Sequence, residues 1–110
     1  MRSIQVIKIG GKVIDDEAAL MEFISRFASL DGEKILVHGG GSMASRMAGQ
    51  LGLKRQMHEG RRITDKPTLD LVTMVYGGYI NKNMVAKLQA QGVNAAGFTG
   101  ADLDLIRAEM

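Results

Sequence analysis

Twice in its first 41 residues the chain runs a β-branched apolar stretch straight into glycines, as SIQVIKIGG at 3–11 and as KILVHGGG at 34–41. Near-continuous runs rich in Val and Ile mark strands buried on both faces, as in parallel sheets. Each run is followed by a helical pattern. After the first, Asp15 or Asp16 offers an N-cap, and Leu20, Phe23, Ile24, Phe27 and Leu30 recur at spacings of three and four. After the second, Met43, Met47 and Leu51, with Ala44 and Ala48, repeat at i, i+4, i+8. Strand, helix, strand, helix predicts an α/β fold with a mainly parallel sheet.

At 110 residues the chain has the size of one domain, spanning 1–110. Its 14 basic and 12 acidic residues are interspersed, which gives no basic arm or patch for nucleic acid. No apolar run approaches the ~18 to 20 residues of a membrane span, and MRSIQVIKIGG lacks the apolar region and cleavage site of a signal peptide. A cytoplasmic location without membrane contact is expected. With no cysteine, and with His38 and His58 as the two histidines, disulfides are excluded and no metal site is expected. The eight methionines read as core filling.

Further along, GLKRQMHEGRRIT (52–64) predicts a small hairpin around Gly60. Thr64 or Asp65 can cap a helix over 67–91, with Pro67 in its first turn. The first half of that helix is apolar almost all round, from Leu69 to Ile80, so it needs cover on more than one side. Gly77 and Gly78 interrupt it, as glycines do where another backbone comes close. A homodimer interface there is one source of the cover. Last come a short strand near 93–97, a glycine-punctuated loop, and a strand-like LDLIRAE.

Strand-end glycines open into the crevice where open α/β sheets bind ligands. Their N–H groups accept close approach, and the next helix adds its positive end, so the suitable guest is an anion. An isolated glycine pair can simply turn the chain; three in a row at 39–41 exceeds what a turn requires. GGKVIDD lacks the P-loop spacing, whereas GGGSMA fits the short G-x-G-x-x-A pattern, with Glu59 in turn-like sequence rather than at a strand end. Lys8 either snorkels to water or projects its charge toward the same anion. Arg61 and Arg62 can be solvated, or one guanidinium can clamp a carboxylate with two bonds. His38 reads as a hydrogen-bonded residue at a strand end.

In this order and spacing, VIKIGGKVIDD, KILVHGGGSMA, EGRRITD, LVTMVYGGYINKNMVAKLQAQG and GFTGADLDLIRAEM resemble the amino-acid kinase family over essentially the whole chain. The resemblance implies a three-layer αβα sandwich and ATP-dependent phosphorylation of the side-chain carboxylate of an N-acylated glutamate, a step of arginine biosynthesis. It implies Lys8 as the catalytic lysine on the transferring phosphoryl group, with Gly10 and Gly11 beside the phosphates. Gly40 and Gly41 match the backbone seat of the acylglutamate, and Arg62 the arginine on its α-carboxylate. ATP with Mg2+ is implied as the phosphoryl donor.

Family members are more than twice as long, and their C-terminal half carries the nucleotide site and the remaining site residues. The chain therefore resembles the N-terminal, acylglutamate-binding half, expected to be inactive unless a C-terminal half completes it. Arg61 stands where relatives commonly carry an apolar residue, which favours an acyl group with its own carboxylate, such as succinyl. ADLD at 101–104 departs from the small DG-type turn of relatives. The other readings are a non-catalytic ligand-binding or oligomerisation module, and a kinase for carrier-bound aminoadipate.

Overall fold

The computed structural model describes residues 3–54 and 56–109, without the side chains of Gln56, Met57, Arg61 and Arg62. In chain order these form β1 (Gln5–Ile9), a one-turn α1 (Gly11–Asp15), α2 (Glu17–Ser29), β2 (Lys34–His38) and α3 (Met43–Gln50). A hairpin of β3 (Gln56–His58) and β4 (Arg61–Ile63) follows. One long helix then runs through α4 (Lys66–Val72), a π-helical stretch (Thr73–Ile80) and α5 (Asn81–Ala90).

β1 and β2 lie parallel, Lys8 opposite Val37 and Ile9 opposite His38. Alternation divides their side chains between two faces. Ile7, Ile9 and Leu36 enter a core with Leu20, Ile24 and Phe27 of α2 and Met84 and Leu88 of α5. On the other face Ile4 is 53% exposed, Val6 64%, Ile35 49% and Val37 42%. The α/β class with a parallel strand pair is as the sequence predicts, and the described residues supply two layers of the sandwich. The expectation of a first strand buried on both faces is corrected: Ile4 and Val6 have no helix over them among the described residues.

Neighbouring aspartates divide the work at the start of α2. Asp16 is the N-cap, accepting from the Ala19 N–H at 3.1 Å, while Asp15 points elsewhere. At the other end Lys34 Nζ donates to the carbonyls of Phe27 (2.7 Å), Ala28 (3.3 Å) and Leu30 (2.6 Å), closing carbonyls that the helix leaves open.

A second apolar cluster joins Ala44 of α3, Leu71 of α4, and Val75 and Ile80 of the π-helical stretch. It corrects the expected face of α3 in part, since Met43, Ala44 and Ala48 of that face do pack on it. Met47 and Leu51 are exposed, and the small Ala44 and Ala48 turn inward, where they let α3 approach α4 closely.

The hairpin turns on Glu59 (φ 49°) and Gly60 (φ 77°), the two positive φ values of a tight two-residue loop. Asp65, rather than Thr64, caps the long helix by accepting from the Thr68 N–H at 3.0 Å. Leu71, Val75 and Ile80 are buried in that helix, and Leu69, Met74 and Tyr79 are exposed.

Two expected strands are corrected. Residues 93–98 alternate between half-buried and exposed as a strand would, yet among the described residues they pair with no strand. Val93 and Ala95 pack on the first core, and side chains hold the backbone instead: Gln89 donates to the Ala95 carbonyl and Lys82 to the Gly97 carbonyl. LDLIRAE begins in a 3-10 turn (Asp102–Asp104), with Leu103 and Asp104 both at φ 55°. Those left-handed positions suit the glycine-type turn that ADLD replaces. Among the described residues no helix is long and apolar enough to cross a membrane.

Candidate functional site

The carboxyl ends of β1 and β2 bring the two glycine loops into contact. A Cβ placed on Gly11 would lie 3.0 Å from the Gly41 Cα, so the two loops pack backbone against backbone and a side chain at Gly11 would crowd Gly41. Lys8 is on the face of β1 shared with Val6 and Val37, away from the α2 core, and is exposed. Gly10 has open space around its Cα.

Each member of the triplet has its own surroundings. Gly39 has nothing within 4 Å of a built Cβ, whereas at Gly40 that Cβ would lie 1.9 Å from the Tyr76 ring. Gly41 sits at φ +61°, and a Cβ there would be 2.3 Å from Asp15 Oδ1. Two of the three glycines are thus required by neighbours, one an aromatic ring and one a carboxylate. Among the described residues no acceptor is found for the N–H groups of Gly40 and Gly41, while the parallel register that ends with Ile9 opposite His38 directs the Gly39 N–H to the Ile9 carbonyl. Two successive uncommitted donors at a parallel strand end form a cradle suited to an anion.

The N-terminus of α3 is not part of that cradle. Its N-cap, Ser42, makes no side-chain cap bond, and its N–H donates to both oxygens of Asp15, at 3.0 and 3.1 Å. The sequence reading places the guest anion on residues 39–41 with this helix end adding its positive charge, and the protein's own carboxylate sits at that end. The doubled aspartate at 15–16 was the available signal, since one N-cap needs one of them.

Beside the triplet lies a polar hub centred on the buried Asn81. His38 contacts the Gly39 carbonyl through Nδ1 at 2.8 Å and the Asn81 Nδ2 through Nε2 at 3.1 Å. Asn81 Nδ2 also donates to the Phe98 carbonyl at 3.4 Å, while its Oδ1 accepts from Lys82 Nζ at 3.0 Å. The lysine fixes the amide orientation, so the amide nitrogen donates to Nε2 and the ring carries its proton on Nδ1. His38 is the hydrogen-bonded strand-end residue expected. Asn81, 7% exposed, was missed, although a buried asparagine in an apolar helix needs such partners.

Arg61 and Arg62 lie on β4, opposite His58 and Met57, and their side chains are outside the described residues. At Gly77 the close neighbour is Thr99 of the same chain, 3.1 Å from a built Cβ, while Gly78 has open space. A cavity of about 260 Å3 opens among Ile14, Leu20, Met43, Ile80 and Met84, and of the predicted site residues Gly40 borders it. Among the described residues no group of three or more His, Asp or Glu could hold a metal ion.

Residues 3–110 match the family model described as the amino acid kinase family. An acetylglutamate kinase of Bacteroides thetaiotaomicron is 57% identical over 103 residues, covering 94% of this chain and 40% of that protein. The acetylglutamate kinase of Parabacteroides distasonis is 53% identical over 109 residues, covering 99% and 43% respectively. Among solved structures, a Streptococcus mutans UA159 protein superposes with a TM-score of 0.66 at 28% identity, over 84% of this chain and 38% of its own. The chain thus spans about 40% of the length of the Bacteroides relative.

Proposed function

The chain belongs to the amino acid kinase family, and from that premise we propose that it is the acylglutamate-binding half of an acetylglutamate kinase, an enzyme that phosphorylates the side-chain carboxylate of an N-acylated glutamate with ATP. The observation that carries the proposal is the cradle of Gly40 and Gly41 N–H groups, for which no acceptor is found among the described residues, in backbone contact with the other glycine loop at Gly11. In-line transfer to a carboxylate brings two anions together, so it needs donors and cations aimed at both. In this reading Gly40 and Gly41 seat the acylglutamate, Arg62 holds its α-carboxylate, and Lys8 with Gly10 and Gly11 faces the phosphates.

Arg61 favours an acyl group with a carboxylate of its own, making N-succinylglutamate a substrate to test beside N-acetylglutamate. ATP brings the phosphoryl group. Mg2+ would enter with ATP, held largely by its phosphates, since no group of three or more His, Asp or Glu among the described residues could hold a metal ion by itself. Exposed Met74 and Tyr79, five residues apart on the π-helical stretch beside the open Gly78, support a homodimer contact there. The proposed setting is the cytoplasm, in arginine biosynthesis.

Calorimetric titration of the 110-residue chain with each acylglutamate tests the binding role. Saturable heat, reduced at least tenfold in affinity by Arg62→Ala, is expected; no heat with either ligand would leave a structural module instead. A coupled ATP assay on the chain is expected to show no turnover, and acylglutamate phosphorylation would overturn the half-site reading.

A further inference from the structure

We propose that Asp15 is a positioning residue: it occupies the N-terminus of α3 and thereby confines a ligand anion to the N–H groups of Gly40 and Gly41. The inference rests on the functional reading above, and names a residue that this reading leaves out.

The two adjacent aspartates do separate jobs. Asp16 caps its own helix, whereas Asp15 reaches 27 residues along the chain to accept the Ser42 N–H with both oxygens. Ser42 leaves the helix end without a cap of its own, so the Asp15 carboxylate takes the cap's place. Gly41 makes room for it, since a Cβ there would lie 2.3 Å from Oδ1. Gly41 also bears on Gly11, at the opposite end of α1 from Asp15. The short helix therefore grips the triplet at both ends, one by backbone contact and one by charge-assisted hydrogen bonds.

The consequence is electrostatic as well as steric. An N-terminus of α3 free of Asp15 would attract any small anion. With the carboxylate there, a second anion is repelled from Ser42, and the uncommitted donors of Gly40 and Gly41 become the better seat. Placement of the substrate carboxylate a few ångströms off would misalign it for in-line attack.

The isosteric Asp15→Asn variant tests this, followed by amide NMR of the 110-residue chain titrated separately with inorganic phosphate and with N-acetylglutamate. In the wild type the Ser42 amide should exchange slowly and stay unmoved by phosphate. In the variant it should exchange faster and shift on phosphate addition, while N-acetylglutamate affinity falls at least tenfold. A helix-stabilising role alone would not create the new phosphate response. A Ser42 amide that exchanges rapidly in the wild type overturns the proposal without any variant, as does a variant amide indifferent to phosphate. If the wild-type chain binds no acylglutamate, the functional reading fails for this chain, and the phosphate arm still decides the role of Asp15.

Discussion

Replacing Gly40 with alanine isolates one contact at the centre of the site. Gly40 is buried and lies outside the positive-φ region, so an alanine there carries no backbone strain. Its Cβ would lie 1.9 Å from Tyr76 Cε1 and 2.0 Å from Cζ. Carbon atoms rest at roughly 3.5–4.0 Å, so the ring would have to retreat by about 1.5 Å or more. Val75 beside it is 2% exposed and fixed in the second core, which limits how far the backbone can follow. Overpacking of this kind costs about 1–3 kcal/mol, and the lost unfolded-state freedom of glycine returns about 0.4–1 kcal/mol. A net loss of about 1–2 kcal/mol corresponds to a Tm lowered by roughly 4–15 °C in a chain of this size.

A double-mutant cycle with Tyr76→Ala, read by urea and thermal unfolding, assigns the cost. With the ring gone, Gly40→Ala should be neutral or slightly stabilising, giving a coupling of about 1–2 kcal/mol. Gly39→Ala is the control, because nothing lies within 4 Å of its Cβ and its φ is not positive. The reasoning is refuted if Gly39→Ala and Gly40→Ala cost the same, or if the Gly40→Ala cost survives in the Tyr76→Ala background.

Other outcomes follow from contacts elsewhere. Leu103, 83% exposed at φ 55°, holds a conformation that costs a β-carbon residue about 1–2 kcal/mol; Leu103→Gly should raise Tm by a few degrees in a thermal melt, and a lowered Tm would count against the strain. Asn81→Ala leaves the Phe98 carbonyl and His38 Nε2 without a donor, at a cost of about 2–4 kcal/mol in urea unfolding, and a loss under 1 kcal/mol would contradict the hub. Hydrogen bonds from the Thr68 side chain and N–H hold the Asp65 carboxyl below its ordinary value of 3.8. That stabilisation is complete above the unfolded value and is lost as pH falls through the lower folded one. Asp65→Asn should therefore flatten the acid limb of stability against pH; an unchanged limb would remove the cap from the account.

How far the sequence spoke for itself depended on whether a feature was local. The β-branched runs, the Asp65 cap with Pro67, and the hairpin around Gly60 are set by near neighbours, and each is found where the pattern places it. The residues that shape the site are not local. Tyr76 against Gly40, Asp15 against Ser42, and Asn81 against His38 join positions 27 to 43 residues apart. Patterning read Tyr76 as one more apolar residue on its helix, and Asp15 as a spare cap. The short strand expected near 93–97 failed for the same reason, since a strand exists only with a partner edge, which composition does not reveal.

The exposed row on the parallel pair links those two levels. Ile4, Val6, Ile35 and Val37 belong to the near-continuous apolar runs that predict burial on both faces, and one face is buried. Parallel sheets are ordinarily covered on both sides, because a bare apolar face forfeits about 25 cal/mol for each Å2 left in water. The same row also holds Lys8, opposite Val37. A cover made of apolar side chains alone would strip water from that ammonium without compensating it. Whatever lies over this face must therefore present apolar groups to the valines and isoleucines, and an anion or an acceptor at Lys8. The proposed function would meet that mixed demand, with a covering layer that ends beside a phosphate next to Gly10 and Gly11, so that the lysine and the bare strand face belong to one surface.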